Sequence, residues 1–382
     1  MQTLAAVLTG SGTSAIATIE VFGPEACNIV SHLFTPYGTS PPRFDVGSIL
    51  VGHLHDNHKP IDQITVGCEG EHHLALHCHG NPLIVETAMT LLKAQGVQLV
   101  KPEDIRTRQL ATSNLSLCQQ ETHLALVHCR TLLGARLLNH QIQESLTAWA
   151  QKKHNSVEAL HSQCKIILDQ SLTAHQILNG ITVALIGPPN SGKSTLLNSL
   201  SGQDAAIVTD IKGTTRDWVE ANCHTDNLAM RLIDTAGLDS MLQQNRLDTE
   251  SQDRTLSVIR GAHILLLVLD NAQSATQIES HWFDRLPKVP RLTLLNKSDL
   301  PNQLNLKDLG LNPATAISIS AKNETGLNNL LTRIEQTLQV KNFDITQPLC
   351  VTPRQRQCLE EVLLTQTLAQ AQKHLKVLVN GN

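Results

Sequence analysis

The sequence predicts a multidomain α/β protein: an N-terminal α+β domain, then an α-helical domain split in sequence around a doubly wound α/β domain. Three observations predict it. A buried-strand run, Ile181 to Ile186, leads through the octet Gly187-Pro188-Pro189-Asn190-Ser191-Gly192-Lys193-Ser194 into a helix-forming run, Thr195 to Leu200. From about 179 to 340, apolar strands alternate with helical stretches, the pattern of a parallel sheet covered on both faces. On either side of that block, apolar residues recur at helical spacing. The 382 residues hold two or three domains. The expected boundaries are 1–105 for the α+β domain, 106–178 for the first helical part, 179–340 for the wound domain and 341–382 for the second helical part.

Taken in order, Leu4–Leu8 and Ala15–Val21 read as strands joined by a Gly/Ser turn, and Pro24–Leu33 as a helix. Pro41-Pro42 interrupts the chain. Gly47–His55, Ile61–Cys68 and His73–His79 read as further strands. Asn81-Pro82 opens a helix to about Gln95, and Gly96 stops it. Along His73–His79 a strand places His73, His77 and His79 on one face, which invites a metal. Neighbours on one strand lie too far apart for a tight site unaided, and 18 His are spread along the whole chain. They therefore read as polar strand residues.

From 106 to 178, Leu124, Leu126, Val127, Leu132, Leu133, Leu137 and Leu138, then Val157 through Leu178, give apolar faces for helix-on-helix packing. In the wound domain the strands are Ile181–Ile186, Ala229–Ile233, His263–Leu269, Arg291–Leu295 and Ala316–Ile319, with Trp218–Cys223 as an edge strand. A helix from Arg354 towards Val379 folds back on the 106–178 helices.

Composition narrows the function classes. Five Phe, three Trp and one Tyr leave the cores to aliphatic residues and exclude a nucleic-acid surface built on aromatic stacking. The net charge is −4 and no basic run stands out, so any RNA contact has to be local or shared with a partner. Nine scattered Cys with no C-x-x-C pair fit reduced thiols in a cytoplasmic protein. The N-terminus lacks the positive flank of a signal peptide, and no apolar run is long enough to span a membrane.

The octet has the chemistry of a phosphate cradle. Its glycines let successive N–H groups point inward, and the following helix adds its positive dipole end. Lys193 reaches the β and γ phosphates and the Ser194 hydroxyl holds Mg²⁺. Asn190, Ser191, Gly192 and Thr195 complete the candidate loop. Four further signals follow in order. Gly213-Thr214-Thr215-Arg216-Asp217 offers a threonine that closes over the phosphates and ligates Mg²⁺. Asp234-Thr235-Ala236-Gly237 ends a strand, Asp234 organising the Mg²⁺ shell through water and the Gly237 N–H sensing a γ-phosphate. In Asn296-Lys297-Ser298-Asp299 the Asp299 carboxylate accepts from N1–H and the exocyclic amine of guanine and rejects adenine. Ser320-Ala321-Lys322 places a backbone N–H at guanine O6. Together they predict a GTP-binding P-loop domain.

With Thr209-Asp210-Ile211-Lys212-Gly213-Thr214-Thr215-Arg216-Asp217, these motifs resemble those of the TrmE/MnmE tRNA-modification GTPases. The domain order is similar as well, and His79-Gly80-Asn81-Pro82 looks like that family's HGGP. The resemblance implies a GTPase of the TrmE-Era-like kind, a folate-binding-like dimerisation domain at the N-terminus, and a partner enzyme in the modification of the tRNA wobble uridine. Leu238 follows DTAG where Ras-like proteins carry a Gln, so the family's K⁺ route is implied instead. Asn190, Thr209, Ile211 and Thr214 supply K⁺ ligands, Ser194 and Thr215 hold Mg²⁺, and two G domains pair across their switches. Asp248 aligns with the Glu that positions water, with Glu250 as the alternative; a solvated acidic segment is the plain reading of both.

Three departures accompany the resemblance. The family's folate-site Arg aligns with Glu20 of Glu20-Val21-Phe22-Gly23, reversing its charge, and its folate-site Glu aligns with Ala75. The family's Cys-containing C-terminal motif is replaced by Val379-Asn380-Gly381-Asn382. These lead to the expectation of GTP binding and switching with folate-dependent modification in doubt, and to an alternative function as a GTP-regulated binding module. A ribosome-assembly GTPase of the Era or Der type would need a KH-like domain or a second G domain, and the sequence shows neither.

Overall fold

Period-two alternation shapes the first unit. Ala17, Ile19 and Val21 of one strand and Leu74, Leu76 and Cys78 of its neighbour turn to a single face and are buried there, while the residues between them face the other way. The structure, a computed structural model, describes residues 2–10, 12–38, 41–143, 146–202, 219–234, 259–278 and 286–381. The chain divides into two units, Met1–Leu115 and Ser116–Asn382.

In the first unit the strands are β1 (Leu4–Val7), β2 (Ile16–Phe22), β3 (Phe34–Pro36), β4 (Ile49–Asp56), β5 (Lys59–Gly70), β6 (His73–His79) and β7 (Gln98–Leu99). The described residues form a seven-stranded sheet in the order β3-β4-β5-β6-β2-β1-β7, antiparallel except where β1 meets β7. Asn57 and His58, both at positive φ, close the two-residue hairpin between β4 and β5, the backbone that suits twisted strands. Helices α1 (Ala26–Leu33) and α2 (Pro82–Ala94) cover the core face through Ile29, Val30, Ala88 and Leu92. The α2 start is written locally. The Asn81 side chain accepts from the Leu83 N–H at 2.9 Å, and Pro82 fills a first-turn position whose N–H would be unpaired in any case. Helix α3 (Pro102–Ala111) lies on the other face, where Ile105 is buried with Leu4 and Ala6. That packing carries the first unit to Leu115, beyond the 105 of the sequence reading.

The three strand histidines take separate partners. His77 Nδ1 meets Thr18 Oγ1 at 3.0 Å and His79 Nδ1 meets Asp62 Oδ1 at 2.6 Å. His73 pairs with Glu20 and lies 3.5 Å from Glu69.

The second unit begins with α4 (Leu117–Val127), α5 (Leu132–Gln143), α6 (Leu146–Gln151) and α7 (Val157–Asn179). Gly180, at φ +76, turns α7 directly into β8 (Ile181–Ile186); a Cβ there would meet the Ala229 carbonyl at 2.7 Å. Next come α8 (Lys193–Gly202), β9 (Val219–His224), β10 (Ala229–Asp234), β11 (Ile264–Asp270), β12 (Arg291–Asn296), β13 (Ile317–Ser318) and α9 (Leu327–Thr337). Strand order is β13-β12-β11-β8-β10-β9, with β9 the antiparallel edge. All seven residues of β11 are buried, Ile264, Leu266 and Val268 in one cluster and Leu265, Leu267 and Leu269 in another, as a strand covered on both faces requires.

The final helical stretch differs from the sequence reading. It is two helices, α10 (Pro353–Leu363) and α11 (Leu368–Asn380), rather than one. Thr367 separates them: its Oγ1 accepts from the Gln370 N–H while Gln370 Oε1 accepts from the Thr367 N–H, each at 3.3 Å, so a capping box starts a new helix. Leu359, Val362, Leu375 and Leu378 pack with Leu146, Leu160 and Ile167 of the helices before β8. Arg354 joins the layers, donating to Glu121 Oε1 at 2.5 Å and to the carbonyls of Val377 and Leu378 near the α11 C-terminus. All nine cysteines are free. Among the described residues no helix is long and apolar enough to cross a membrane.

Candidate functional site

In the β13-β12-β11-β8-β10-β9 order the chain's first wound strand, β8, is central, with later strands added to both sides. A crevice therefore opens at the carboxyl ends of β8 and β11, where ligands bind in this architecture. The octet leaves β8 at that point. Gly187 has φ +144 and passes so close to β11 that a Cβ would meet the Val268 carbonyl at 2.1 Å. Asn190, exposed at φ +62, and Gly192, at φ +95, complete a turn that delivers the chain into α8.

Lys193 opens α8 and is 5% exposed. Its ammonium donates to the carbonyls of Gly187 and Pro188, both at 2.9 Å, so it arches back over its own loop. The Ser194 hydroxyl donates to Asp234 Oδ2 at 2.5 Å. Asp234 is 1% exposed and, among the described residues, its second oxygen Oδ1 has no hydrogen-bond partner; neither has the buried Ser191 hydroxyl. A buried carboxylate oxygen and a hydroxyl left without partners are costly unless a ligand completes them. The donor set of Ser194 Oγ, Asp234 and the loop amides is hard oxygen and N–H, and it fits a hydrated Mg²⁺ beside a phosphate chain.

The loops that carry the candidate base-recognition residues are tied to the candidate phosphate loop by one side chain. Asn296, at the end of β12, donates from Nδ2 to the Ser191 carbonyl at 2.8 Å and accepts at Oδ1 from the Ala321 N–H at 3.0 Å. It packs so closely on Gly192 that a Cβ there would meet Nδ2 at 2.2 Å. The Ala321 amide is thus engaged inside the protein, and the Ser320 amide is as well, donating to the Thr325 carbonyl at 3.0 Å. Asp299 is exposed and accepts at Oδ1 from the Ser320 hydroxyl at 2.6 Å. That bond, with Lys322 and Lys297 nearby, holds its carboxyl below the usual carboxylate range, so it is an anionic acceptor at neutral pH.

Sequence reasoning missed Asp270 and Asn271. Asp270 is 3% exposed at the end of β11, and its Oδ2 meets Lys297 Nζ at 2.7 Å. Its Oδ1 accepts from the Ala272 N–H at 2.9 Å, and Gln277 bonds both its N–H and its carbonyl. The Asn271 N–H donates to the Asn296 carbonyl at 2.9 Å. These contacts brace Lys297, itself at φ +61, from behind. The signal was present in the sequence as an acid closing the most apolar strand, but it read only as a strand end.

The structure therefore brings together Asn190, Ser191, Gly192, Lys193, Ser194, Thr195 and Asp234, the candidate phosphate residues, and Asn296, Lys297, Asp299, Ser320, Ala321 and Lys322, the candidate base residues. Thr209, Ile211, Thr214, Thr215, Gly237 and Asp248, with the alternative Glu250, lie outside the described residues.

Comparison with known proteins agrees with both halves of the chain. Residues 182–297 match the family model described as 50S ribosome-binding GTPase, and residues 3–111 the model described as GTP-binding protein TrmE N-terminus. The chain is 27% identical over 390 residues to the tRNA modification GTPase MnmE of Lactiplantibacillus plantarum, covering 91% of this chain and 83% of that protein. Against the MnmE of Thermotoga petrophila the identity is 28% over 403 residues, with 95% and 88% covered. The crystal structure of the G domain of the T. maritima FeoB iron transporter is similar over 41% of this chain and 98% of that one, at 22% identity and a TM-score of 0.31.

Proposed function

Since the chain belongs to the TrmE/MnmE family of GTPases, we propose that it is a K⁺-stimulated enzyme that hydrolyses GTP through pairing of two G domains and serves modification of the tRNA wobble uridine. The observation that carries the reading is the Asn296 bridge, which couples a phosphate loop to an anionic guanine acceptor in one rigid site. In this reading Ser194 and Thr215 hold Mg²⁺ and Asp234 steadies its water shell. Mg²⁺ and K⁺ supply charge neutralisation at the phosphates. Lys193 moves from its loop carbonyls to the β and γ phosphates, and the loop amides orient the chain for in-line attack. Asp248, or Glu250, holds the attacking water. Asn190, whose αL backbone sets its side chain on the exposed rim of the loop, ligates K⁺ with Thr209, Ile211 and Thr214. The protein acts in the cytoplasm as a homodimer with a partner enzyme of the same pathway.

GTP turnover is expected to be at least about tenfold faster in KCl than in NaCl, the loss of one charge-neutralising contact being worth roughly that factor or more. Asn190→Ala is expected to bring the KCl rate down to the NaCl rate. Equal wild-type rates in the two salts would sink the K⁺ mechanism.

A second reading, a paralogous GTP-regulated switch that has lost folate-dependent modification, is favoured by Glu20. This carboxylate stands where the family resemblance expects an arginine, is 8% exposed, and is paired with His73 and bonded by Gln109 at 2.8 Å. Burial pushes its pKa up, but the bonds from His73 and Gln109 outweigh burial and hold it below the ordinary value. A fixed anion here opposes the glutamate tail of a folate. Titration calorimetry with 5-formyltetrahydrofolate is expected to show no binding at micromolar concentration; heat released in that range removes this reading.

A further inference from the structure

Far along the chain from the nucleotide crevice, the second unit carries a concave pocket of about 420 Å³ between the loop that follows α6 and one face of α11. Lys152 and Lys153 come from the loop, and Lys376 comes from the helix, more than two hundred positions later. Gln372 and Lys376, four residues apart on α11, share the lining face. No Asp or Glu is among the ten lining residues, in a chain whose acids outnumber its lysines and arginines by 34 to 30. Among the described residues none of the three ammonium groups is paired with a carboxylate. In a protein of net charge −4 this is a local concentration of unneutralised positive charge on a concave surface, and the elementary partner for it is a phosphate chain.

A fourth residue narrows the choice of polyanion. His154 lines the same pocket, is 8% exposed, and packs its ring edge against Trp149 at 5.4 Å. One ring nitrogen is tied to the Ala150 backbone; Nε2 is buried with no hydrogen-bond partner. Burial pushes its pKa below the ordinary histidine value, so the ring is neutral at pH 7. With the other nitrogen donating to a carbonyl, the Nε2 of a neutral imidazole is an acceptor. A ribose 2′-hydroxyl can donate to it; a deoxyribose cannot.

We propose that this pocket is a docking site for the sugar–phosphate backbone of RNA, with Lys152, Lys153 and Lys376 on the phosphates and His154 facing the ribose. The proposal deepens the reading of the protein as one that serves tRNA modification and rests on it. It gives that reading a place of contact in a chain whose sequence shows no basic run. The site lies in the helices that flank the wound domain, not in the nucleotide crevice, so it is separable from GTP hydrolysis.

The test is binding of a labelled, unmodified tRNA transcript to the full chain across a series of KCl concentrations. Each phosphate contact contributes about −0.7 to −0.9 to the slope of log K against log salt. The triple variant Lys152→Ala/Lys153→Ala/Lys376→Ala is expected to bind at least about tenfold more weakly, with a slope shallower by about two to three, and to turn over GTP at the wild-type rate. All three side chains are on the surface, so the fold is expected to tolerate the changes. His154→Phe is expected to narrow the preference for RNA over single-stranded DNA of the same sequence without changing the salt slope. Unchanged tRNA affinity and slope in the triple variant would overturn the site while leaving the tRNA reading standing. That variant melting lower with tRNA affinity intact would overturn it too, and would assign the lysines to the carbonyl ends of α6 and α11. A wild-type protein that binds no RNA at low salt, or that binds anionic lipid vesicles in its place, would overturn site and reading together.

Discussion

Asp299→Asn is expected to lower the affinity for GTP by about a thousandfold and to admit xanthosine triphosphate in its place. The carboxylate is an acceptor at both oxygens, held ionised by the Ser320 hydroxyl at 2.6 Å and by the neighbouring Lys322 and Lys297. Guanine presents two donors to it, N1–H and the exocyclic amine. An asparagine offers one acceptor and one donor, so one N–H of the base would meet an N–H of the protein. Sites built to hydrogen-bond a polar group discriminate by ~10⁴ or more when that pairing is broken, and the exposure of this side chain moderates the figure. Xanthine keeps N1–H but carries a carbonyl where guanine has the amine, which restores the match to an amide. Because the Ser320 bond depresses the Asp299 pKa, wild-type discrimination is expected to hold as pH falls from neutral and to be lost only as the carboxyl protonates. The measurement is the dissociation constant for GTP, XTP and ATP with each protein. A variant that still prefers GTP to XTP would contradict this account of base recognition.

Lys193→Ala is expected to slow GTP hydrolysis by about a hundredfold to a thousandfold in single turnover. The ammonium is 5% exposed and bonds two loop carbonyls at 2.9 Å each, so it is already desolvated. Its loss deprives the developing charge on the transferred phosphoryl group of its nearest fixed cation, an interaction of about 3–4 kcal/mol in comparable sites, which is a factor of 10² to 10³ in rate. It also leaves the carbonyls of Gly187 and Pro188 without a donor, at a cost of about 1–3 kcal/mol each if they remain buried. A lower melting temperature is expected in the same variant. Arginine is not expected to rescue it, since a planar, delocalised guanidinium does not place the compact point charge of an ammonium at the same position. Hydrolysis within tenfold of wild type would show that Lys193 serves the loop and not the phosphates.

Two kinds of feature separate in this molecule. The helix at Pro82 was legible because Asn81 accepts from its own second neighbour and Gly96 ends the helix at positive φ, both encoded within a few residues. The break at Thr367 is equally local, yet apolar residues at helical spacing continue through it, and the periodicity masked the cap. The strand histidines show the opposite limit. Alternation placed His73 and His77 on one face, but their partners, Glu20 and Thr18, come from a neighbouring strand whose register the sequence does not state.

By itself the sequence marked the two candidate ends of the nucleotide site. A strand, a glycine turn and a helix start are specified by backbone conformations that only certain residues adopt, as Gly187 at φ +144 and Gly192 at φ +95 show, and the tetrapeptide proposed to read guanine is four consecutive residues. Only the tertiary structure decided how those ends are joined. Asn296 reaches Ser191 across 105 positions, Asp270 braces Lys297 across 27, and Lys376 closes a pocket begun by Lys152 and Lys153. Such contacts depend on which elements become neighbours when the sheet and helices pack. A single side chain meeting a distant one leaves no period, run or spacing along the chain by which it could be read.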